Sequence, residues 1–468
     1  MTANASSAGR PTVSTITATA IVVADMVGVG VFTSLGFQVK DIASGFALIL
    51  LWVVGGVVAL CGAAAYSELA GMFPRSSGEY NFLARTYHPA VGFLAGWLSA
   101  TVGFAAPIAL AAMAFGEYAK AVVPNLPPVA FEIRIPWPFS LEFAVTWRLV
   151  FGLIAAWVIT LVHLRGVRSG SLFHNVWTVL KLALIIAFLV AGALYADPQA
   201  ISFSPSASDI GYVTAAPFAI SLVFVMYSYS GWNAATYIAG EIHDPQRSLP
   251  RALLTGTLLV LVLYVGLNWV FLRVTPIDQL AGQLDVAVVA GRRIFGETGG
   301  AVVGGLICLG LVSSISAMTW IGPRVTMTMG EDIPMLRFFA RTSKSGVPVV
   351  AILFQLAVVN VMLLSNSFEA VLDFIQFSLT ACSFLAVAGV IWLRLTRPEL
   401  PRPYRAWGYP VTPVVFLAVT GFMMYYLVTN RPLQSLAGFA MMFAGLAIYG
   451  VSQVMSASPS PVQTINRA

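Results

Sequence analysis

The chain has 468 residues, 58% of them hydrophobic and 9% charged, with a mean hydropathy of +0.85. An ordinary soluble chain is about 45–50% apolar and about 25% charged, and a soluble domain this poor in charge could not cover its own surface. The composition therefore excludes a cytosolic enzyme, a disordered chain, a disulfide scaffold and a nucleic-acid binder. The net charge of +6, from 25 Lys and Arg against 19 Asp and Glu, reports orientation in a bilayer and does not point to an acidic partner.

Twelve apolar stretches are long enough to cross a hydrocarbon layer of about 30 Å, which takes about 20 helical residues. They are 16–38, 45–71, 89–119, 148–164, 173–195, 213–240, 252–272, 301–328, 347–364, 369–393, 410–429 and 434–455. Backbone amides in lipid must bond within their own segment, so all are expected to be helices. The first run reads as a retained span, with no removable signal peptide. Placing the N-terminus inside puts 16 Lys and Arg on inner segments and 8 on outer ones, with Lys181 left inside a span. That bias predicts two cytoplasmic termini.

Between the spans, residues 120–147 carry Pro124, Pro127, Pro128, Pro136 and Pro138 and are expected to lie over the outer face. Residues 273–300 hold a short helical pattern, Asp285 to Phe295, expected to lie flat on the surface. The Ser- and Pro-rich tail after Met455 reads as disordered. Cys61, Cys308 and Cys382 sit in apolar runs with no CxxC and no His at ligand spacing. They read as packed thiols, and no metal or cofactor is implied.

Two spans look broken. The first contains Val27-Gly28-Val29-Gly30-Val31-Phe32 near its middle, and the sixth contains Tyr227-Ser228-Tyr229-Ser230-Gly231-Trp232. Glycine costs helix stability and serine competes for backbone hydrogen bonds. A broken helix in lipid is tolerated where it lines a cavity, and paired interruptions in two halves point to a transporter site. The chain divides accordingly. Residues 1–15 form a cytoplasmic segment, 16–196 a first five-helix repeat, 213–395 a second, inverted repeat, 396–455 two additional helices, and 456–468 a cytoplasmic tail.

These residues resemble a family. The first break is similar to the G-S-G-I-F element of the amino acid–polyamine–organocation (APC) superfamily, with Val29 where Ser is frequent. Tyr229 to Asn233, Glu241 to Arg247 and Pro250-Arg251-Ala252 resemble that family's sixth helix and its continuation. Tyr66 to Leu69 and Phe73 to Tyr80 resemble the end of its second helix, and Gly322-Pro323-Arg324 and Arg402-Pro403-Tyr404 also match. The resemblance covers nearly the whole chain. It implies an all-α membrane protein with the LeuT-type five-plus-five inverted repeat, broken helices 1 and 6, and two C-terminal helices. It further implies an amino acid permease of a bacterial inner membrane.

Free amides at the start of a half-helix suit a carboxylate, and carbonyls at the end of one suit an ammonium. Gly28, Val29 and Gly30 would supply the amides. By the resemblance, the backbone oxygens of Tyr227, Ser228 and Ser230 around Gly231 would take the ammonium. Tyr227 would also stand at the family's gating aromatic. Lys181 looks like the fifth-helix Lys that ties helix 1 to helix 8 in place of sodium. Asp25, three residues before Gly28, could pair with Lys181, carry a proton, contact the substrate ammonium or bond exposed backbone. Glu68 and Glu79 read as ion-pair or gating residues. The four histidines lie at the ends of the hydropathy-defined spans or in loops.

The expectation is a sodium-independent secondary transporter of neutral amino acids, by proton symport or exchange. A polyamine or organic-cation carrier is the alternative. Protons and the lipid bilayer are the other expected partners, with no nucleic acid and no obligate protein partner evident. Converging acids or histidines of an enzyme, and the rings of a selectivity filter, are not apparent.

Overall fold

The computed structural model describes residues 13–123, 127, 131–135, 141–195, 197–283, 285–364, 368–430 and 432–457. Most of the expected N-terminal segment, prolines 124, 128, 136 and 138, and the tail from 458 onward lie outside the described residues. The first broken pair is α1 (Thr15–Met26) and α2 (Gly30–Gln38). It is followed by α3 (Gly45–Met72), α4 (Glu79–Thr86), α5 (Pro89–Leu98) and α6 (Ala105–Val122), with a π turn at Ser99–Gly103 between the last two. Next come α7 (Trp147–Leu164), α8 (Val167–Ala193), the short α9 (Asp209–Val213) and α10 (Ala216–Ser228). A 3-10 helix (Ala234–Glu241) continues from α10 beyond a break. Then follow α11 (Pro245–Val274), α12 (Ile277–Leu280), α13 (Val286–Asp332), α14 (Val349–Leu364), α15 (Phe368–Thr396), α16 (Val411–Asn430) and α17 (Pro432–Ala457).

Local chemistry sets several of these boundaries. Ser14, Ser44 and Thr146 cap α1, α3 and α7, accepting the amides of Thr17, Ala47 and Leu149. Such a cap is worth about 1 kcal/mol. Pro89 opens α5 at a position where a missing amide proton costs nothing.

Among the described residues, ten helical segments are long and apolar enough to cross a membrane. Two shorter apolar helices, Ala216–Ser228 and Val349–Leu364, fall where the sequence suggests the sixth and ninth spans. The sixth is short because its apolar run continues through the break. The outer faces of α7, α8 and α16 expose Trp157, Val158, Leu161, Val176, Val179, Val190, Phe422 and Tyr425. A large apolar surface of this kind is covered by lipid in an integral membrane protein.

Two stretches differ from the sequence expectation. The loop before α7 contains an antiparallel hairpin, β1 (Phe131–Ile135) paired with β2 (Leu141–Val145), with Phe131 opposite Val145. The alternation in Phe-Glu-Ile-Arg-Ile is only five residues long and is hidden by flanking prolines. The 286–295 helix is not an isolated surface segment. It runs into the following span through one residue, Gly296, whose φ of +77° turns the chain. Only glycine adopts that conformation readily.

The core is built around the broken elements. α1 packs against α8, α11 and α13, and α2 packs against α10. All three cysteines are buried and unpaired.

Candidate functional site

The first break is a tight turn. α1 ends at Met26, and the Gly28 amide donates back to the Met26 carbonyl at 2.7 Å. α2 restarts at Gly30, so the Val29 and Gly30 amides have no partner within a helix. The two glycines differ. A Cβ on Gly28 would meet only the Met26 carbonyl, at 3.9 Å. One on Gly30 would lie 2.4 Å from Ser228 Oγ and 2.8 Å from Ser228 Cα. Gly30 is therefore the residue that lets the two broken helices touch.

The second break follows Ser228. The Ser230 amide and hydroxyl both donate to the Tyr227 carbonyl, at 2.9 and 2.6 Å. Gly231 has a φ of +96°, and the 3-10 helix starts three residues later. A Cβ on Gly231 would stand 2.6 Å from Asp25 Oδ2. The two breaks thus meet twice, at Gly30 against Ser228 and at Gly231 against Asp25.

Lys181, 3% exposed on α8, closes the first break from behind. Its Nζ donates to the Val27 carbonyl at 2.6 Å, the Ala24 carbonyl at 3.2 Å and Ser314 Oγ on α13 at 2.8 Å. An ammonium has three hydrogens, and all are used. Ser314 Oγ also contacts the Val27 and Ala24 carbonyls, at 2.8 and 3.1 Å. Hydrogen bonds from a charged donor contribute about 1.5–3 kcal/mol each, which offsets the burial of an ammonium in a span. Tyr264 on α11 bridges the breaks, its hydroxyl 2.5 Å from the Met26 carbonyl and 3.0 Å from that of Ser228.

A cavity of about 80 Å³ lies between these elements. Of the residues expected at the site, Asp25, Ser230 and Gly231 line it. Gly28, Val29, Gly30, Tyr227, Ser228 and Lys181 do not. Tyr227 is buried, and the aromatic lining comes instead from Phe104, Trp232 and Tyr237. Asp25 is 8% exposed, and its Oδ1 has no hydrogen-bond partner among the described residues. Glu79 also lines the cavity and is 2% exposed. Its Oε1 accepts from Tyr66, from Ser383 at 3.0 Å and from Asn233 at 3.3 Å. It is part of the cavity wall. Glu68 is an ion-pair residue, with Arg394 at 2.5 Å and Arg402 at 3.3 Å.

Two histidines are deeper than linear position suggests. His163 and His174 are 5% and 0% exposed. His163 Nε2 meets Ser316 Oγ at 2.8 Å, and His174 packs edge-on to Trp320. Hydropathy places a span's end at its polar residues, whereas helix packing carries these two into the interior. Ser314, Tyr264 and the cavity position of Glu79 are likewise absent from the sequence reading. The polar run Ser313-Ser314-Ile315-Ser316 inside an apolar span was the available signal for the first, and Tyr264 had none. Among the described residues no group of His, Cys, Asp and Glu is arranged to hold a metal ion.

A polytopic helical membrane protein with two mutually touching broken helices around a buried cavity has the build of a membrane carrier. The chain belongs to the amino acid permease family, whose sequence model matches residues 13–452. It is 26% identical to human b(0,+)-type amino acid transporter 1, over 89% of this chain and 82% of that protein. It is 24% identical to rat Large neutral amino acids transporter small subunit 2, over 93% and 79%. It is also 24% identical to Serine/threonine exchanger SteT of Bacillus subtilis (strain 168), over 92% and 94%.

Proposed function

We propose that this chain is a secondary active transporter of neutral amino acids that works by alternating access, without sodium, by proton symport or amino acid exchange. The observation that carries the reading is the Lys181 ammonium, which clasps the first broken helix to Ser314 with all three of its hydrogens. A fixed cation there does the work that a bound sodium ion would do, tying α1 to α13. The transporter names of the relatives support amino acids as substrates.

In this reading the chain is a twelve-span LeuT-type protein of a bacterial inner membrane, with two inverted five-helix repeats, two additional helices and both termini cytoplasmic. The amides of Val29 and Gly30 receive the substrate carboxylate, and the surroundings of Ser230 and Gly231 receive the ammonium. Tyr227 and Ser228 hold the second break in shape. Lys181 and Asp25 carry the coupling between substrate and the two breaks. Two carboxylates on one cavity, Asp25 and Glu79, favour the organic-cation carrier as the second reading.

The test is uptake of a labelled amino-acid panel into proteoliposomes. It is run with an inward proton gradient, with a sodium gradient, and with internal amino acid and no gradient. Uptake driven by protons or by internal amino acid is the expected result. A strict sodium requirement overturns the role given to Lys181. Uptake of putrescine with no uptake of any amino acid moves the function to the second reading.

A further inference from the structure

We propose that the Asp25 carboxylate, and not a backbone carbonyl, receives the substrate's ammonium group. This assignment rests on the amino acid reading above and narrows it, making the charged amine the dominant recognition element.

The carbonyls around the breaks are largely spoken for. A carbonyl oxygen accepts about two hydrogen bonds. Val27 and Ala24 each receive Lys181, and the single hydrogen of the Ser314 hydroxyl goes to one of the two. Met26 receives Tyr264 and the Gly28 amide. Tyr227 receives both donors of Ser230. Ser228 faces the Tyr264 hydroxyl. Of the carbonyls expected to hold an ammonium, that of Ser230 has no donor among the described residues, and that of Ser228 has only the Tyr264 hydrogen it shares with Met26.

Asp25 is in the opposite condition. Its side chain is more than nine-tenths buried, lines the cavity and leaves Oδ1 without a partner. Gly231 fixes its position, because Oδ2 stands where any side chain at 231 would go. The charge of Lys181 acts on it, but the hydrogens of Lys181 are committed to Val27, Ala24 and Ser314 and none is donated to Asp25. Glu79, the other acid of the cavity, already has three donors. A buried carboxyl whose oxygen has no partner is an acceptor left for a donor that the described residues do not supply. The group that fits a small cavity of about 80 Å³ is the compact head of a primary amine, a charged donor that holds the facing carboxyl ionised and acceptor-only.

The experiment measures competition with labelled L-alanine and L-leucine uptake by the full chain in proteoliposomes. The competitors are the matching amines, ethylamine and 3-methylbutylamine, and the matching acids, propionate and 4-methylpentanoate. In the wild type the amines are expected to compete about tenfold more strongly than the acids. Asp25→Asn is expected to raise KM by about thirtyfold and to erase the preference for amines, and Asp25→Glu to recover part of both. Thermal shifts with 3-methylbutylamine alone give a second readout that needs no transport. If the wild type takes up no amino acid, yet the amine raises its melting temperature and not that of the Asn variant, the ammonium assignment stands and the amino acid reading falls. If amino acids are taken up, the acids compete as well as the amines, and the folded Asn variant keeps its KM within about threefold, the assignment is overturned and the Ser230 carbonyl is the acceptor.

Discussion

The two broken helices are interrupted in the same way but held in different ways. At the first break the freed carbonyls of Ala24, Met26 and Val27 are bonded by side chains from far along the chain: Lys181, Tyr264 and Ser314. At the second, most bonds are local. Ser230 turns back on Tyr227, Ala234 bonds the Gly231 carbonyl and Thr236 bonds that of Asn233. One break is therefore an assembly of four helices, and the other is a self-contained turn. Moving the first requires α8, α11 and α13 to move or release it, whereas the second can keep its internal bonds as a rigid unit. In the alternating-access reading proposed above, that asymmetry would let one bundle rock against the rest.

Removing Lys181 strikes the side of the comparison that depends on remote donors. Lys181→Ala leaves the Val27 carbonyl with the Ser314 hydroxyl alone and deletes the link from α8. Losing three charge-assisted bonds should lower uptake by on the order of a hundredfold or more, measured as initial rates in proteoliposomes with equal reconstituted protein. A variant that retains wild-type uptake would mean that Ser314 and Tyr264 suffice to hold the first break.

Substituting Gly231 strikes the self-contained turn. Gly231→Ala combines a side chain at φ +96° with a collision at 2.6 Å against Asp25 Oδ2. Backbone strain of this kind costs on the order of 1–3 kcal/mol, and the displaced carboxylate adds to it. Uptake should fall by about ten- to a hundredfold, with a smaller loss for Gly28→Ala, whose Cβ would meet only one carbonyl at 3.9 Å. Equal effects at the two positions would break the geometric distinction between them.

Tyr264 belongs to both breaks, so Tyr264→Phe tests whether they communicate. The ring stays packed against Trp52 and Tyr229, and only the hydroxyl is lost. The expected loss is about 1–3 kcal/mol from buried carbonyls left short of a donor. It should be read as a lower melting temperature in detergent together with slower uptake. A change in melting without a change in uptake would make the bridge purely structural.

How much of this was legible in the sequence follows from the same division. The places where the helices break were legible, because Gly28-Val29-Gly30 and Ser230-Gly231 are local signals. So was Lys181, a lone charge in an apolar run, and so was Glu68, which pairs with arginines. The resemblance named the two helices that Lys181 ties, but its partner Ser314, 133 residues away, was not legible in the residues themselves. The contact of Asp25 with Gly231 was hidden for the same reason: it depends on how two breaks meet and on nothing near either residue. His174 shows a different limit. It stands seven residues before Lys181, two helical turns away on the same face, so the face that buries one buries the other. A linear count of apolar residues instead reads it as the edge of a span.

The smallest expected effect comes from the approach to the second break. Asp209, just before α10, accepts Ser44 Oγ at 2.5 Å, and the amide and hydroxyl of Ser206 at 2.6 and 2.8 Å. Ser44 also caps α3, so this carboxylate ties the segment leading into α10 to the start of α3. These hydrogen bonds, that of Ser44 foremost, hold the Asp209 carboxyl below its ordinary range. A depressed carboxyl stabilises the fold above its unfolded-state pKa of about 3.9, and that contribution is lost as pH falls through the lower folded value. Asp209→Asn should therefore lower the melting temperature by on the order of 1 °C at pH 7, and the gap between wild type and variant should close on acidification. Uptake at pH 7 should hardly change, because the second break carries its own bonds. A large loss of uptake in this variant would show that the turn is set from outside, and would remove the contrast with the first break.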